Sequence, residues 1–439
     1  MTISGLLSPV HDFIWGLLVD WILYVGIFLS LGLNLVTIRQ IPFAVSKALS
    51  SLRRSTEEDG ISAFAALMTS AGGNIGTGSL AGMALMLSSG GPGSLLWMWL
   101  ATLLNLATKY GEALLAVRYS THNDRGQLVA GPMYYIHAGL GPSFRWMASL
   151  FAVMGSICTF GLGNGVQSVE LANSLELIVG LPTLVSGLLV GGCCLWILQG
   201  GIRRVSAISM VIVPLMVASY LAITGFLLIE HLDSIPEVLR TIVTDAFNPR
   251  SVASGSLFVV VSAGVRRAVF AQEIGMGTTP IVNGVARPQD AVMQGMVATL
   301  SSLMTALVGT MTGLLLLCSE TKLANHDETT MLYRAFESSL QGTSALTHIF
   351  TVLFTFTTII VFGYYGERCV EYLFGSRSNI PFRLIWCSIL TLSSITEKRA
   401  IWLITDILNA LMALPNIVAL VMLSGCIFTI TKKYRFSRG

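Results

Sequence analysis

The sequence predicts an all-α membrane protein that crosses the bilayer about eleven times. Of its 439 residues, 53% are hydrophobic and 11% are charged, and the mean hydropathy is +0.73. A soluble domain carries roughly 25% charged residues. A membrane-spanning helix needs about 20 apolar residues, and eleven stretches are candidate spans, of which the tenth is short. They are residues 14–38, 61–88, 93–117, 146–172, 182–199, 206–229, 252–275, 291–317, 345–366, 382–394 and 401–430.

The basic residues predict the orientation of these spans. Twenty of the 26 Lys and Arg residues fall in one alternating set of connections, which includes the C-terminal tail. Because such loops stay in the cytoplasm, we expect the N-terminus outside and the C-terminus inside. Lys109 and Glu112 then mark the cytoplasmic end of the second core helix, where their spacing allows them to pair. The first basic residue is Arg39, so we expect no cleaved signal peptide.

The remaining composition argues against an enzyme, a metalloprotein and a nucleic-acid-binding protein. The seven cysteines lie in or at the ends of apolar runs without a CxxC pair, and the six histidines are scattered. These cysteines are typical of packing residues rather than disulfides or metal ligands. We therefore expect no cofactor and no transition metal. The basic residues lie in short loops between apolar runs, so the net charge of +3 indicates no nucleic-acid partner.

Residues 61–88 contain the most informative stretch of the chain. Four of the seven residues from 72 to 78 are glycines, and each glycine costs a helix about 1 kcal/mol relative to alanine. A backbone freed from its helix is tolerated inside a membrane where it is packed in protein or lines a cavity. The stretch therefore predicts a broken helix that holds an ion and a solute. The alternative is a continuous helix whose glycines pack closely on a neighbour.

The spans divide into two halves. The leading helix of each half contains glycines, at Gly72 to Gly78 and again at Gly264 and Gly275 to Gly277. Paired interrupted helices indicate the binding site of a secondary transporter, and five spans per half would make the halves inverted. We expect five segments: an extra helix and amphipathic linker (1–60), a first five-helix repeat (61–230), an external loop (231–250), a second five-helix repeat (251–430) and a cytoplasmic tail (431–439).

Several motifs occur in an order that covers nearly the whole chain. Among them are GNIGTGSLAG, GPMYYIHAGLG, RRAVFAQEIGMGTTP, FTFTTII and DILNALMALPNIVALVMLSG. Together they resemble the alanine or glycine:cation symporter family. The resemblance implies a leucine-transporter-type five-plus-five inverted repeat with broken first and sixth core helices and one extra N-terminal helix. It further implies a monomer in a prokaryotic inner membrane that takes up a small neutral amino acid with Na⁺.

The resemblance also implies a sodium site. By similarity, backbone carbonyls at Gly72 and Ile75 and the hydroxyls of Thr357 and Thr358 would bind the ion. Na⁺ is a hard cation, and hard cations prefer oxygen ligands. The alternative for the two threonines is that each hydroxyl bonds back to a carbonyl of its own helix.

A solute site would lie beside the sodium site. The carboxylate of the solute would bind N–H groups at the start of the second half-helix, where the helix dipole favours an anion. Gln167 would face the same cavity, although it could equally serve as a helix–helix contact. The expected solute-binding residues are Thr77, Gly78, Ser79, Gln167, Gly264 and Phe362.

The glycine-containing run of the second half has two interpretations. It either lines the substrate cavity or forms an inner gate near the cytoplasm. Arg266 and Arg267 precede it closely and favour the gate, in which case the break would lie nearer Ser262–Gly264 and Glu273 would pair with one of these arginines. An unpaired carboxylate there would be costly. The residues assigned to this gate or cavity are Glu273, Gly275, Met276, Gly277, Arg266 and Arg267.

Some positions depart from the family's pattern. Ser79 replaces an asparagine, Ala271-Gln272 replaces Ser-Asn, and Phe362 occupies a position that is often tryptophan. An aspartate expected near Thr305 is missing. These changes leave open the exact amino acid and the choice between Na⁺ and H⁺ coupling. They also leave open a sensor that binds the solute without net transport.

Overall fold

The computed structural model describes residues 3–52, 60–247, 256–288, 290–319, 328–394 and 398–436, and these are predominantly helical. Short turns of other helical types are a 3₁₀ turn at Pro142–Phe144, a π-helical turn at Phe160–Gly165 and a 3₁₀ turn at Ser376–Ser378. The helices up to residue 229 are α1 (Ile3–Gly32), α2 (Val36–Arg39), α3 (Ile41–Ser50), α4 (Ala63–Asn74), α5 (Thr77–Gly90), α6 (Ser94–Arg118), α7 (Pro132–Leu140), α8 (Arg145–Thr159), α9 (Val166–Val179), α10 (Thr183–Gln199) and α11 (Gly201–Ile229). Those that follow are α12 (Ile235–Ala246), α13 (Ser256–Gln272), α14 (Pro280–Asn283), α15 (Ala291–Cys318), α16 (Glu328–Ser339), α17 (Ser344–Phe374), α18 (Asn379–Ser393), α19 (Lys398–Met422) and α20 (Ser424–Lys433).

Five helical stretches of the described chain are long and apolar enough to cross a membrane. A sixth span arises if the bent pair in α19 and α20, which turns by 54°, is counted as one. Eleven spans remain a prediction, because the other predicted spans correspond to helices that are broken, shorter or less apolar. The five stretches are Ile14–Gly32, Pro142–Val179, Gly201–Ile229, Ala291–Cys318 and Ser344–Phe374.

The helix break expected between Gly72 and Ser79 is present and is two residues long. α4 ends at Asn74 and α5 begins at Thr77. Between them Ile75 (φ −87°, ψ 82°) and Gly76 (φ −118°, ψ −157°) leave the helical conformation. All four residues are buried, so the freed backbone groups must find partners inside the protein.

The second break lies later in the chain than one sequence interpretation expected. α13 is continuous through Ser262–Gly264 and ends at Gln272, so a break near Gly264 is wrong. Gly264 instead allows α13 to touch α6, since a Cβ there would lie 2.3 Å from the carbonyl oxygen of Ser94. The chain unwinds after Gln272, where Glu273 has a positive φ of 51°. Such a φ is uncommon for a residue other than glycine.

Two helices, α6 and α17, pack against several others each. α6 packs against α1, α13 and α15, while α17 packs against α4, α8, α9 and α11. A short parallel pair, β1 (Ile61–Ser62) with β4 (Ala286–Arg287), joins the start of α4 to the segment after the second break. An antiparallel hairpin, β2 (Thr121–His122) with β3 (Leu128–Val129), follows α6. Residues of both breaks line one cavity, so the two breaks lie side by side in the interior.

We expect Gly264→Ala to lower the apparent melting temperature of the purified protein in detergent. Alanine normally favours a helix over glycine by about 1 kcal/mol, but overpacking costs about 1–3 kcal/mol, and the Ser94 carbonyl is backbone that cannot rotate away. Gly192→Ala in α10 is the matched control, because a Cβ there has nothing within 4 Å. Equal or higher melting temperature for Gly264→Ala than for the control would contradict close packing at this position.

Candidate functional site

Oxygen atoms converge where α17 passes the first break. The Thr358 hydroxyl lies 3.2 Å from the Gly72 carbonyl oxygen, 3.4 Å from that of Gly73 and 3.0 Å from that of Phe354. The Gly72 and Gly73 carbonyls belong to the last turn of α4, which has no intrahelical partners for them. One hydroxyl hydrogen cannot serve three carbonyls, so the group is rich in acceptors and suits a cation.

The other predicted sodium ligands lie close to this oxygen group. The Thr357 hydroxyl donates to the Phe354 carbonyl of its own helix at 3.0 Å, as the alternative interpretation of the sequence foresaw. It nevertheless lies 3.8 Å from where a Cβ of Gly72 would stand. Ile75 is fully buried in the break itself. Gly72 and Thr358 are therefore in direct contact, Thr357 lies near Gly72, and Ile75 directly follows α4 in the chain.

A small cavity lies beside the first break, under the start of α5. Four of the six residues expected to bind solute line it, namely Thr77, Gly78, Gln167 and Phe362. Ser79 is buried outside it, and Gly264 is packed against α6. Sequence reasoning did not assign several other lining residues to a solute site. The full lining is Gly73, Asn74, Gly76, Thr77, Gly78, Leu162, Gln167, Arg267, Phe270, Ala271, Glu273, Thr358 and Phe362.

The Gln167 amide faces the start of α5. Its Nε2 donates to the Leu162 carbonyl at 3.1 Å and to the Thr77 hydroxyl at 3.3 Å. Its Oε1 accepts a long bond of 3.4 Å from the Thr77 N–H. Leu162 belongs to the π-helical turn between α8 and α9, a distortion that is frequent at functional sites. Gln167 therefore uses one of the free donors at the start of α5.

Opposite charges flank the cavity. If Gly78 carried a Cβ, that atom would lie 2.6 Å from one guanidinium nitrogen of Arg267. A Cβ on Gly82 would lie 1.9 Å from the other terminal nitrogen. Glycine at these two positions of α5 thus makes room for the guanidinium. Glu273 lines the cavity as well, and its carboxylate accepts a hydrogen bond from the Thr278 hydroxyl.

The ion pair expected between Glu273 and Arg266 or Arg267 is not formed. Within the described part of the chain, no arginine lies within ion-pair distance of the Glu273 carboxylate. The Arg267 guanidinium lies against Gly78 and Gly82 of α5, while the Glu273 carboxylate bonds to Thr278. The geometry therefore matches the cavity interpretation of this run better than the paired inner gate.

The rest of the run faces other helices. The Gly275 carbonyl accepts a hydrogen bond of 2.8 Å from Asn416. A Cβ at Gly277 would lie 2.6 Å from Pro132 of α7 and 2.7 Å from Phe151 of α8. Met276 is fully buried. These three residues thus secure the break to its surroundings and do not line the cavity.

Two charged residues that the sequence placed in a local pair contact this break instead. Lys109 and Glu112 are fully buried, and they do not form an ion pair with each other. The Lys109 ammonium instead donates to the carbonyls of Gln272 at 2.8 Å and Glu273 at 3.1 Å. The available signal was two charges in an apolar span, which usually indicate function. Their spacing suggested a local pair, whereas their partners lie over 160 residues away.

A second, basic cavity opens on the predicted cytoplasmic side. It lies between the β2–β3 hairpin, the α10–α11 turn and the ends of α17 and α18, and its lining includes Arg125, Arg203, Arg368 and Arg383. Glu367 bonds to both Arg368 and Arg383. The Ser376 hydroxyl, in the 3₁₀ turn after α17, donates at 2.8 Å to Asp124 of the hairpin, and this bond holds the pKa of that carboxyl below its usual range.

Comparison with known proteins gives the family. Residues 1–438 match the sodium:alanine symporter family. The chain is 36% identical to an uncharacterized transporter of Haemophilus influenzae, covering 99% of this chain and 96% of the relative. It is 31% identical to the sodium/alanine symporter AgcS of Methanococcus maripaludis, covering 99% and 98%.

A solved structure supports the fold. The crystal structure of a mutant of the Eremococcus coleocola manganese transporter is similar with a TM-score of 0.55 at 13% identity, covering 84% of this chain and 77% of that one. At this identity the likeness bears on fold alone. The family match extends over the residues that form both breaks and the cavity between them. The chain therefore belongs to the sodium:alanine symporter family and is a membrane transporter rather than an enzyme.

Proposed function

We propose that this protein is a symporter that moves a small neutral amino acid of the alanine or glycine class together with Na⁺. The observation that carries the proposal is the contact of the Thr358 hydroxyl with the freed carbonyls of Gly72 and Gly73. Sodium-coupled transport in the family and the name of the archaeal relative support it. The protein would act as a monomer in a prokaryotic inner membrane, with its N-terminus outside.

The proposed sodium site uses oxygen ligands only. The carbonyls of Gly72 and Ile75 and the hydroxyls of Thr357 and Thr358 would surround the ion. Neutral oxygens let the protein bind and release a monovalent cation without burying a permanent negative charge beside it. When Na⁺ binds, the Thr358 hydroxyl would turn its hydrogen toward the Phe354 carbonyl and present a lone pair to the ion.

The proposed solute site matches the two charges of an amino acid. The carboxylate would take the Thr77 and Gly78 N–H groups, where the dipole of α5 and the charge of Arg267 attract an anion. It would displace the Gln167 oxygen from its long bond with Thr77, and the Gln167 amide would then face the solute. Glu273 lies across the cavity and would attract the ammonium group. Phe362 would limit the side chain to a small size.

Transport would proceed by alternating access around this cavity. The two breaks provide the points at which half-helices can tilt separately, as in other secondary transporters. The basic cavity beneath them would be the cytoplasmic exit. The Glu367 pairs with Arg368 and Arg383 there would have to rearrange as the exit opens.

We expect proteoliposomes that contain the protein to accumulate labelled alanine or glycine when an inward Na⁺ gradient is present. Na⁺ and solute share the first break, so dissipating the Na⁺ gradient should abolish accumulation. The control is the same protein in vesicles with equal Na⁺ on both sides. Accumulation that ignores Na⁺ and follows a pH gradient would replace the proposal with proton coupling. Saturable binding without accumulation would instead indicate a sensor.

We expect Thr358→Val to raise the Na⁺ concentration for half-maximal uptake by about tenfold or more, the scale of a lost hydrogen bond or ligand to a charged group. Valine keeps the shape of threonine but supplies no oxygen. Thr355→Val is the matched control, because Thr355 is equally buried in α17 and its hydroxyl bonds only to carbonyls of that helix. The same Na⁺ dependence in both variants would remove Thr358 from the sodium site.

A further inference from the structure

We propose that Lys109 and Glu112 are positioning residues that hold the second break in the shape required for solute binding, without touching the solute. The inference rests on the proposed function for its consequence, since Glu273 must face a solute cavity. Its structural part stands independently on the contacts of two fully buried charges of α6 with the unwound chain. Lys109 bonds to the chain before the break, and Glu112 bonds to the chain after it.

Lys109 serves the end of α13. The carbonyls of Gln272 and Glu273 are left free where the helix stops, and the ammonium donates to both, at 2.8 and 3.1 Å. A positive charge is also favourable at a helix C-terminus because it faces the negative end of the helix dipole. Lys109 therefore replaces hydrogen bonds that the next helical turn would have supplied.

Glu112 serves the chain beyond the break. Its Oε1 accepts from the Gly277 N–H at 3.1 Å and from the Asn416 amide at 2.6 Å. Asn416 also donates to the Gly275 carbonyl at 2.8 Å, and its oxygen accepts from the Tyr135 hydroxyl. The Glu112 carboxylate thus contacts hydrogen-bond donors, whereas the Lys109 ammonium contacts acceptors. Along α6, the positive Lys109 therefore lies beside carbonyls and the negative Glu112 beside an N–H group of the unwound chain.

The first break is tied to the same point. The Asn74 side-chain amide donates to the Gln272 carbonyl at 3.2 Å, which also accepts from Lys109. Asn74 is the last residue of α4 and lines the cavity. Lys109 therefore fixes an atom that both broken helices use, which gives it influence over the solute cavity from outside.

The test compares Lys109→Met, Glu112→Gln and the exchanged pair Lys109→Glu/Glu112→Lys. The control is Thr108→Val, since the Thr108 hydroxyl bonds only to Asn105 of its own helix. Hydrogen exchange of the amides of residues 274–278 in detergent-purified protein reports the break directly and needs no transport. Uptake kinetics give two separate quantities: the solute concentration for half-maximal uptake and the maximal rate of uptake.

Lys109→Met should speed exchange at these amides and raise the half-saturating solute concentration by about tenfold or more, because hydrogen bonds to a charged group are lost. Glu112→Gln keeps the shape and one acceptor, so it should fold and give smaller changes of the same kind. The exchanged pair should not restore wild-type exchange or uptake, because it places a carboxylate against the carbonyls of Gln272 and Glu273. Thr108→Val should match the wild type in both measurements.

Three results would overturn the inference: wild-type exchange in both single variants, full recovery in the exchanged pair, or equal changes in Thr108→Val. If Lys109→Met does not fold, Glu112→Gln and the exchanged pair decide. If the wild type transports no amino acid, the proposed function fails, while exchange at residues 274–278 still decides the role of the two charges.

Discussion

The structure depends on one constraint: a backbone that unwinds inside a membrane protein must find partners for its freed N–H and C=O groups, either in the protein or in a cavity that admits an ion or solute. Each unsatisfied group in an apolar interior costs several kcal/mol. At the first break, a threonine hydroxyl of α17 approaches freed carbonyls, leaving an acceptor-rich group suited to a cation. At the second break, the charges of α6 pair with the backbone. Both breaks persist because other helices supply their partners.

The freed backbone groups have different kinds of partner at the two breaks, and this difference suits the breaks to different roles. Neutral oxygens at the first break can exchange one partner for an ion at modest cost. The ionisable side chains at the second break contact the backbone more strongly when they are charged, since charge-assisted hydrogen bonds are roughly twice as strong as neutral ones. The first break is thus suited to binding and release, and the second to supporting the cavity wall that carries Glu273. Asn74 joins them through the Gln272 carbonyl.

The sequence predicted the elements that depend on local composition. Four glycines between 72 and 78 indicated the first break, and its threonine partner followed from a family resemblance. Gly264 misled because a glycine in a helix indicates either a break or a close contact, and only the position of Ser94 decides between them. Lys109 and Glu112 were assigned to each other because residues three apart are neighbours on a helix, while their partners lie far along the chain.

An experimental structure determined with Na⁺ and alanine would test directly whether ion and solute bind together at the first break. We predict an ion bonded to the Gly72 carbonyl and the Thr358 hydroxyl. We also predict the alanine carboxylate on the Thr77 and Gly78 amides, with Gln167 displaced from Thr77. An ion bound elsewhere, with the Thr358 hydroxyl still donating to the Gly72 carbonyl, would contradict the assignment of the first break as the shared site of ion and solute.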